Sequence, residues 1–137
     1  MSFDILLKMR RQYHPHKTER GILIWDVHRL IELSQDLPEI SIPLVEIIEL
    51  DQRSWFENSK SPPTCREIAF HAKLIEEADL KHPIILGADG RVMDGMHRVC
   101  KAWMNGDESI KAVRFETDPE PDYIDVPLNE LPYDEPW

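Results

Sequence analysis

The chain has 137 residues, the size of one domain, with 42% hydrophobic and 31% charged residues, as a folded globular protein has. No apolar run approaches the roughly 20 residues of a membrane-spanning helix, and the opening "MSFDILLKMRRQY" lacks a secretory signal's order of charge, apolar stretch and cleavage site. A cytoplasmic protein with no membrane partner is the expectation. The net charge is −10, and from Glu116 to Trp137 there are eight acidic residues and no basic one, so stand-alone binding to duplex DNA is disfavoured. From Lys81 to Phe115 the balance reverses, six basic residues against four acidic. Cys65 and Cys100 form no CxxC pair and read as reduced thiols.

Residues 1–21 are basic and carry "HPH" at His14 to His16, where Pro15 breaks any helix. They read as a mobile or partner-docked arm. His14 and His16 lack the third ligand that a metal site needs. "GILIWDVHRLIELSQDLP" reads as a helix capped by Asp26, with Val27, Leu30, Ile31 and Ser34 at helical spacing and Pro38 as its stop. A strand is expected from Ile42 to Val45, then a turn or short helix, then a polar loop "DQRSWFENSKSPP".

Thr64 with Glu67 three residues on predicts a capping box. The helix it opens should bury Ile68, Ala72, Ile75 and Ala78. Glu67 and His71 lie one turn apart, as a helical surface pair or a metal pair would. "HPIILGADGRVMDG" predicts a hairpin: strand Ile84 to Leu86, turn Ala88 to Gly90, return strand Arg91 to Met93. A short helix follows, burying Val99, Ala102 and Trp103 and ended by Gly106. Ser109 to Phe115 reads as a last strand, Ile110, Ala112 and Arg114 opposed to Lys111, Val113 and Phe115. Five prolines after Phe115 exclude long regular elements there, and the tail is expected to strap onto the core.

"DGMHR", Asp94 to Arg98, concentrates the chemistry. Gly95 lets the backbone turn tightly at a strand-to-helix junction. The first amides of the helix lack internal partners and suit an anion. His97 and Arg98 add donors, Arg98 as a planar fork that matches phosphate. Asp94 would repel phosphate unless it holds a magnesium ion or accepts a proton. A purely structural turn, with Asp94 as helix N-cap, explains the same residues.

The stretch "HPIILGADGRVMDGMHRVCKAWMNGDESIKAVRF" resembles the core of the ParB/sulfiredoxin superfamily. With "SIPLVEI" upstream and the helix from Thr64, the resemblance covers about residues 40–116. Sulfiredoxins carry Gly-Cys-His-Arg here; Met96 stands at the cysteine's place and excludes their thiolate chemistry. Chromosome-partitioning members bind CTP through Gly-Glu-Arg-Arg, matched only by Gly95 and Arg98. A third branch, kinases that phosphorylate free serine with ADP or ATP, has a motif similar to Asp-Gly-x-His-Arg and a glutamate base near its opening strand, where Glu46 and Glu49 lie.

The resemblance implies an α+β domain, a small mixed sheet with helices packed on it, over residues 22–116, between the arm and the tail of residues 117–137. It implies ATP or ADP with magnesium held by Gly95, Met96, His97 and Arg98. Asp94 would be the metal ligand and, with Glu46 or Glu49, the catalytic group acting on a small-molecule or protein substrate. The alternatives are a non-catalytic interaction module of the same fold and a ParB-like nuclease or DNA-associated protein.

Overall fold

The structure is a computed structural model that describes residues 12–56 and 61–132. It has the expected α+β class, built as two units. One comprises the residues up to Asp36 and those from Thr117 onward; the other is Leu37–Glu116. The division therefore falls between Asp36 and Leu37 rather than near residue 22. Among the described residues no helix is long and apolar enough to cross a membrane.

The first unit holds a three-stranded antiparallel sheet of order β1-β2-β7: β1 Tyr13–Thr18, β2 Gly21–Asp26 and β7 Tyr123–Ile124. The arm expected at its start is, from Tyr13, an edge strand. Pro15 excludes a helix but not a strand at a sheet edge, where one missing N–H is tolerated. Residues 1–11 lie outside the described residues. β2 is the central strand and buries Ile24 and Trp25. Its last residue, Asp26, caps helix α1 (Val27–Leu33) by accepting from the His28 N–H at 2.9 Å. To this sheet the segment after Thr117 contributes β7. Asp122 and Asp125, which flank it, accept from the N–H groups of Asp26 and Ile22, each at 2.8 Å. Trp25 Nε1 donates to the Pro119 carbonyl at 2.8 Å.

The second unit is a four-stranded mixed sheet of order β3-β6-β4-β5. Its strands are β3 Ile40–Pro43, β4 Ile84–Leu86, β5 Val92–Asp94 and β6 Ser109–Arg114. β4 runs parallel to β6, and the other pairings are antiparallel. β3 begins two residues before the expected strand, and single 3₁₀ turns, Leu44–Glu46 and Ile48–Asp51, follow it. Helix α2 (Cys65–Glu77) starts with the predicted capping box. Helix α3 (Met96–Met104) follows β5 directly. Ile84, Leu86, Val99, Ile110 and Ala112 form the centre of the core.

Three faces differ from expectation. α2 turns Phe70, His71, Leu74 and Ile75 partly inward, while Ala72 is exposed and Ile68 is 55% exposed. Covering Phe70 and Leu74 removes more apolar surface from water than covering Ile68 and Ala72. On α3, Val99 and Ala102 are buried with Met96 packed against the same core, and Trp103 points outward at 65% exposure. β6 buries Ile110, Ala112 and Val113, and Phe115 just past its end is buried too, while Lys111 and Arg114 stay exposed. The opposed-face reading of that strand therefore holds for neither set.

Candidate functional site

The turn between β5 and α3 places the 94–98 residues. Gly95 is the N-cap of α3 with φ +114°, in the left-handed region that favours glycine. A Cβ there would lie 2.6 Å from Ile84 Cγ2, so the backbone passes hard against β4. The glycine is thus required by strain and by space before any ligand is considered. No side chain caps this helix start, and Asp94 is not its N-cap.

Arg98 is engaged within the fold. Its Nη2 lies 2.8 Å from Asp94 Oδ2, and its Nη1 donates to the His82 and Pro83 carbonyls at 3.0 and 2.7 Å. The pair is largely shielded, with side-chain exposures of 16% and 18%. Arg98 therefore clamps the approach to β4 onto the 94–98 turn, one helical turn from the carboxylate it neutralises. Met96 packs against the core.

The two glutamates diverge. Glu46 is exposed on the first 3₁₀ turn. Glu49 is buried, accepts from the Val92 N–H at the start of β5, and has Arg91 Nε 3.3 Å from the same oxygen. Its second oxygen, Oε1, is buried with no hydrogen-bond partner among the described residues. Only Glu49 is tied to the strand that ends in Asp94.

His97 faces a partner that the sequence does not reveal. Its Nε2 lies 2.9 Å from His71 Nδ1 on α2. The two rings are within 13° of parallel with centroids 5.2 Å apart, so they meet edge to edge in one plane. Trp55 stacks over both, 4.3 Å from His71 and 4.4 Å from His97. Phe56 and Phe70 approach His71 edge-on. Burial, then the neighbouring His71 and the Arg98 charge, push His97 down to about 4. Burial also lowers His71, partly offset by Glu67. Both rings are neutral at neutral pH. Burial raises the Cys100 thiol, which keeps it protonated and unreactive.

Glu67 serves the capping box, and His71 meets His97 through Nδ1 while the Glu67 charge still acts on it. Among the described residues no group of three or more His, Cys, Asp or Glu side chains is placed to hold a metal ion. Trp55 is the site residue that sequence reading missed, and His71 was paired there with Glu67 rather than with His97. The available signal was the aromatic pair Trp55-Phe56 inside an otherwise polar loop. A scan against protein-family models and searches of curated proteins and of solved structures found no match.

Proposed function

We propose that the Leu37–Glu116 unit binds a phosphorylated ligand, a nucleotide foremost, at the 94–98 turn. The observation that carries this is the uncapped start of α3 beside a neutral imidazole. Gly95 brings no side-chain acceptor to the first amides, and His97 stands in the same turn. Free amides at a helix start attract anions, and an imidazole adds a directed hydrogen bond. The resemblance to the ParB/sulfiredoxin superfamily points to the same turn.

The roles then differ from residue to residue. His97 and the amides of α3 meet phosphate oxygens. Arg98 braces the turn through Asp94 and the His82 and Pro83 carbonyls. Magnesium fits as an ion carried by the nucleotide, since it commonly keeps its waters and takes one or two carboxylates plus phosphates. Asp94 would supply that carboxylate. If a phosphoryl group is transferred, Glu49 is the candidate base on this chain, because Glu46 is not tied to the site.

A calorimetric titration with ATP, ADP and CTP in the presence of magnesium tests the reading. Binding of at least one, lost in His97→Ala, is expected. Folded protein giving no heat with any of them rejects it. A second reading, a non-catalytic interaction module, is favoured by the exposed Trp103 and Met104 at the end of α3, at 65% and 67% exposure. It predicts a partner complex weakened by Trp103→Ala with no nucleotide requirement.

A further inference from the structure

The bond between His71 and His97 has room for one proton. A neutral imidazole carries a single ring proton, on Nδ1 or on Nε2. The facing atoms are His71 Nδ1 and His97 Nε2, 2.9 Å apart. With the proton on His97 Nε2, His97 Nδ1 is bare and His71, accepting at Nδ1, carries its own proton on Nε2. With the proton on His71 Nδ1, His97 carries its proton on Nδ1 and His71 Nε2 is bare. No third neutral arrangement keeps the bond. The rings are therefore both Nε2–H or both Nδ1–H.

We infer that His71 is a positioning residue that sets the tautomer of His97, and that the two rings form a coupled relay between α2 and the 94–98 turn. The geometry holds this coupling in place. The rings share a plane, and one indole, Trp55, covers both. Rotation of either ring out of plane would lose the hydrogen bond and the stack together. Neutrality matters as well, because two imidazolium rings would point N–H at N–H across the same gap. The charged neighbours are Glu67 on α2 and Arg98 on α3. Arg98 opposes a positive His97, and Glu67 favours a positive His71.

The remaining nitrogens are the ends of the relay. His97 Nδ1 and His71 Nε2 have no hydrogen-bond partner among the described residues. Nδ1 is bonded to the ring carbon nearest the backbone, so in His97 it is the ring nitrogen nearer the α3 main chain. The identity of the ligand rests on the phosphate reading above. A phosphate oxygen is an acceptor and selects His97 Nδ1–H. That choice requires the bond proton to sit on His71 Nδ1 and leaves His71 Nε2 bare. The switch balances without net charge: one proton enters at His97 Nδ1, the bond proton crosses from His97 to His71, and one leaves from His71 Nε2. An isolated imidazole favours the Nε2–H form, so the free protein should hold both rings in that state.

Long-range proton–nitrogen correlation spectra of the full chain with ¹⁵N-labelled histidine, at pH 7, test this. In the free protein His71 and His97 should report the same tautomer. With inorganic phosphate, then with ATP and magnesium, both should move to Nδ1–H together. His71→Phe keeps an aromatic ring beneath Trp55 and removes the nitrogen; His97 should then become a tautomer mixture. Its affinity for the nucleotide should fall about threefold to tenfold, the worth of one neutral hydrogen bond. His71→Asn, whose amide donates or accepts, should restore affinity. Different tautomers on the two rings of the free protein, or an unchanged His97 in His71→Phe, would overturn the coupling. Histidine signals that ignore phosphate and nucleotide alike would overturn the ligand role, while the free-protein spectra still decide the coupling.

Discussion

The acidic segment after Phe115 and the 94–98 turn both invite reading as binding surfaces, and the fold spends their charges differently. In the acidic segment, Asp122 and Asp125 accept from two N–H groups of β2. Arg29 adds contacts to Asp122 and to the Glu120 carbonyl. These charges do structural work that any interaction role would have to compete with. In the turn, Arg98 is spent in the same manner on Asp94 and two carbonyls. His97 is not: it uses one nitrogen on His71 and keeps the other. Charge in a motif is thus a weak guide to a site. The group to examine is the one with valence left after folding.

Removing residues 117–137 is the largest disturbance of this comparison. It deletes β7, both carboxylates that hold β2, and the acceptor of Trp25 Nε1. Each charge-assisted hydrogen bond contributes about 1.5–3 kcal/mol, so a loss of several kcal/mol is expected in the unit that contains β2. Hydrogen exchange at the Ile22 and Asp26 amides measures it. Retained protection at both would return the acidic segment to a partner-facing role.

Gly95→Ala comes next. It places a Cβ against Ile84 and demands a positive φ of a residue that disfavours it. Strain and overpacking together should cost about 3 kcal/mol in urea unfolding. A neutral result would mean the turn can relax, and the rigid placement of His97 would fall with it. Arg98→Ala should cost somewhat less, about 2 kcal/mol. It leaves a shielded Asp94 carboxylate without its partner, at a depth where some water still reaches it. Asp94→Asn should recover part of that loss in the double variant, because the unpaired charge is then removed. Additive losses would break the account of Arg98 as a clamp.

What the sequence made legible was local. The Asp26 cap, the Thr64 capping box, the 84–94 hairpin and the glycine at the start of α3 each depend on contacts within a few residues. What it hid required knowing which faces meet. Ile68 and Phe70 are both apolar, and only packing against the rest of the unit selects Phe70 for cover. β1 and β7 contain or adjoin prolines, which rule out long elements but not an edge strand or a two-residue bridge onto β2. The candidate site divides in the same way. The 94–98 residues were visible as a motif. The bond from His97 to His71 spans 26 residues and passes under Trp55, from a loop that composition marked only as polar.

The smallest expected effect is the most selective, because it reads the His97 environment alone. In the folded chain His97 is held down to about 4, whereas in the unfolded chain it titrates near its ordinary 6.5. Acidification therefore protonates the unfolded state first. The contribution of a neutral, buried His97 is complete above about pH 6.5, declines as pH falls, and is fully lost below about 4. With part of the ring open to water, the difference should amount to about 1–2 kcal/mol. Comparing the pH dependence of urea unfolding in the wild-type chain and in His97→Gln isolates it, since the carboxylates titrate in both. His71→Phe removes one neighbouring positive charge that forms on acidification, so His97 should titrate higher in that variant than in the wild type. If the two curves superimpose between pH 4 and 6.5, the ring is not buried under Trp55. The contrast between a spent Arg98 and an unspent His97 would then lose its physical basis.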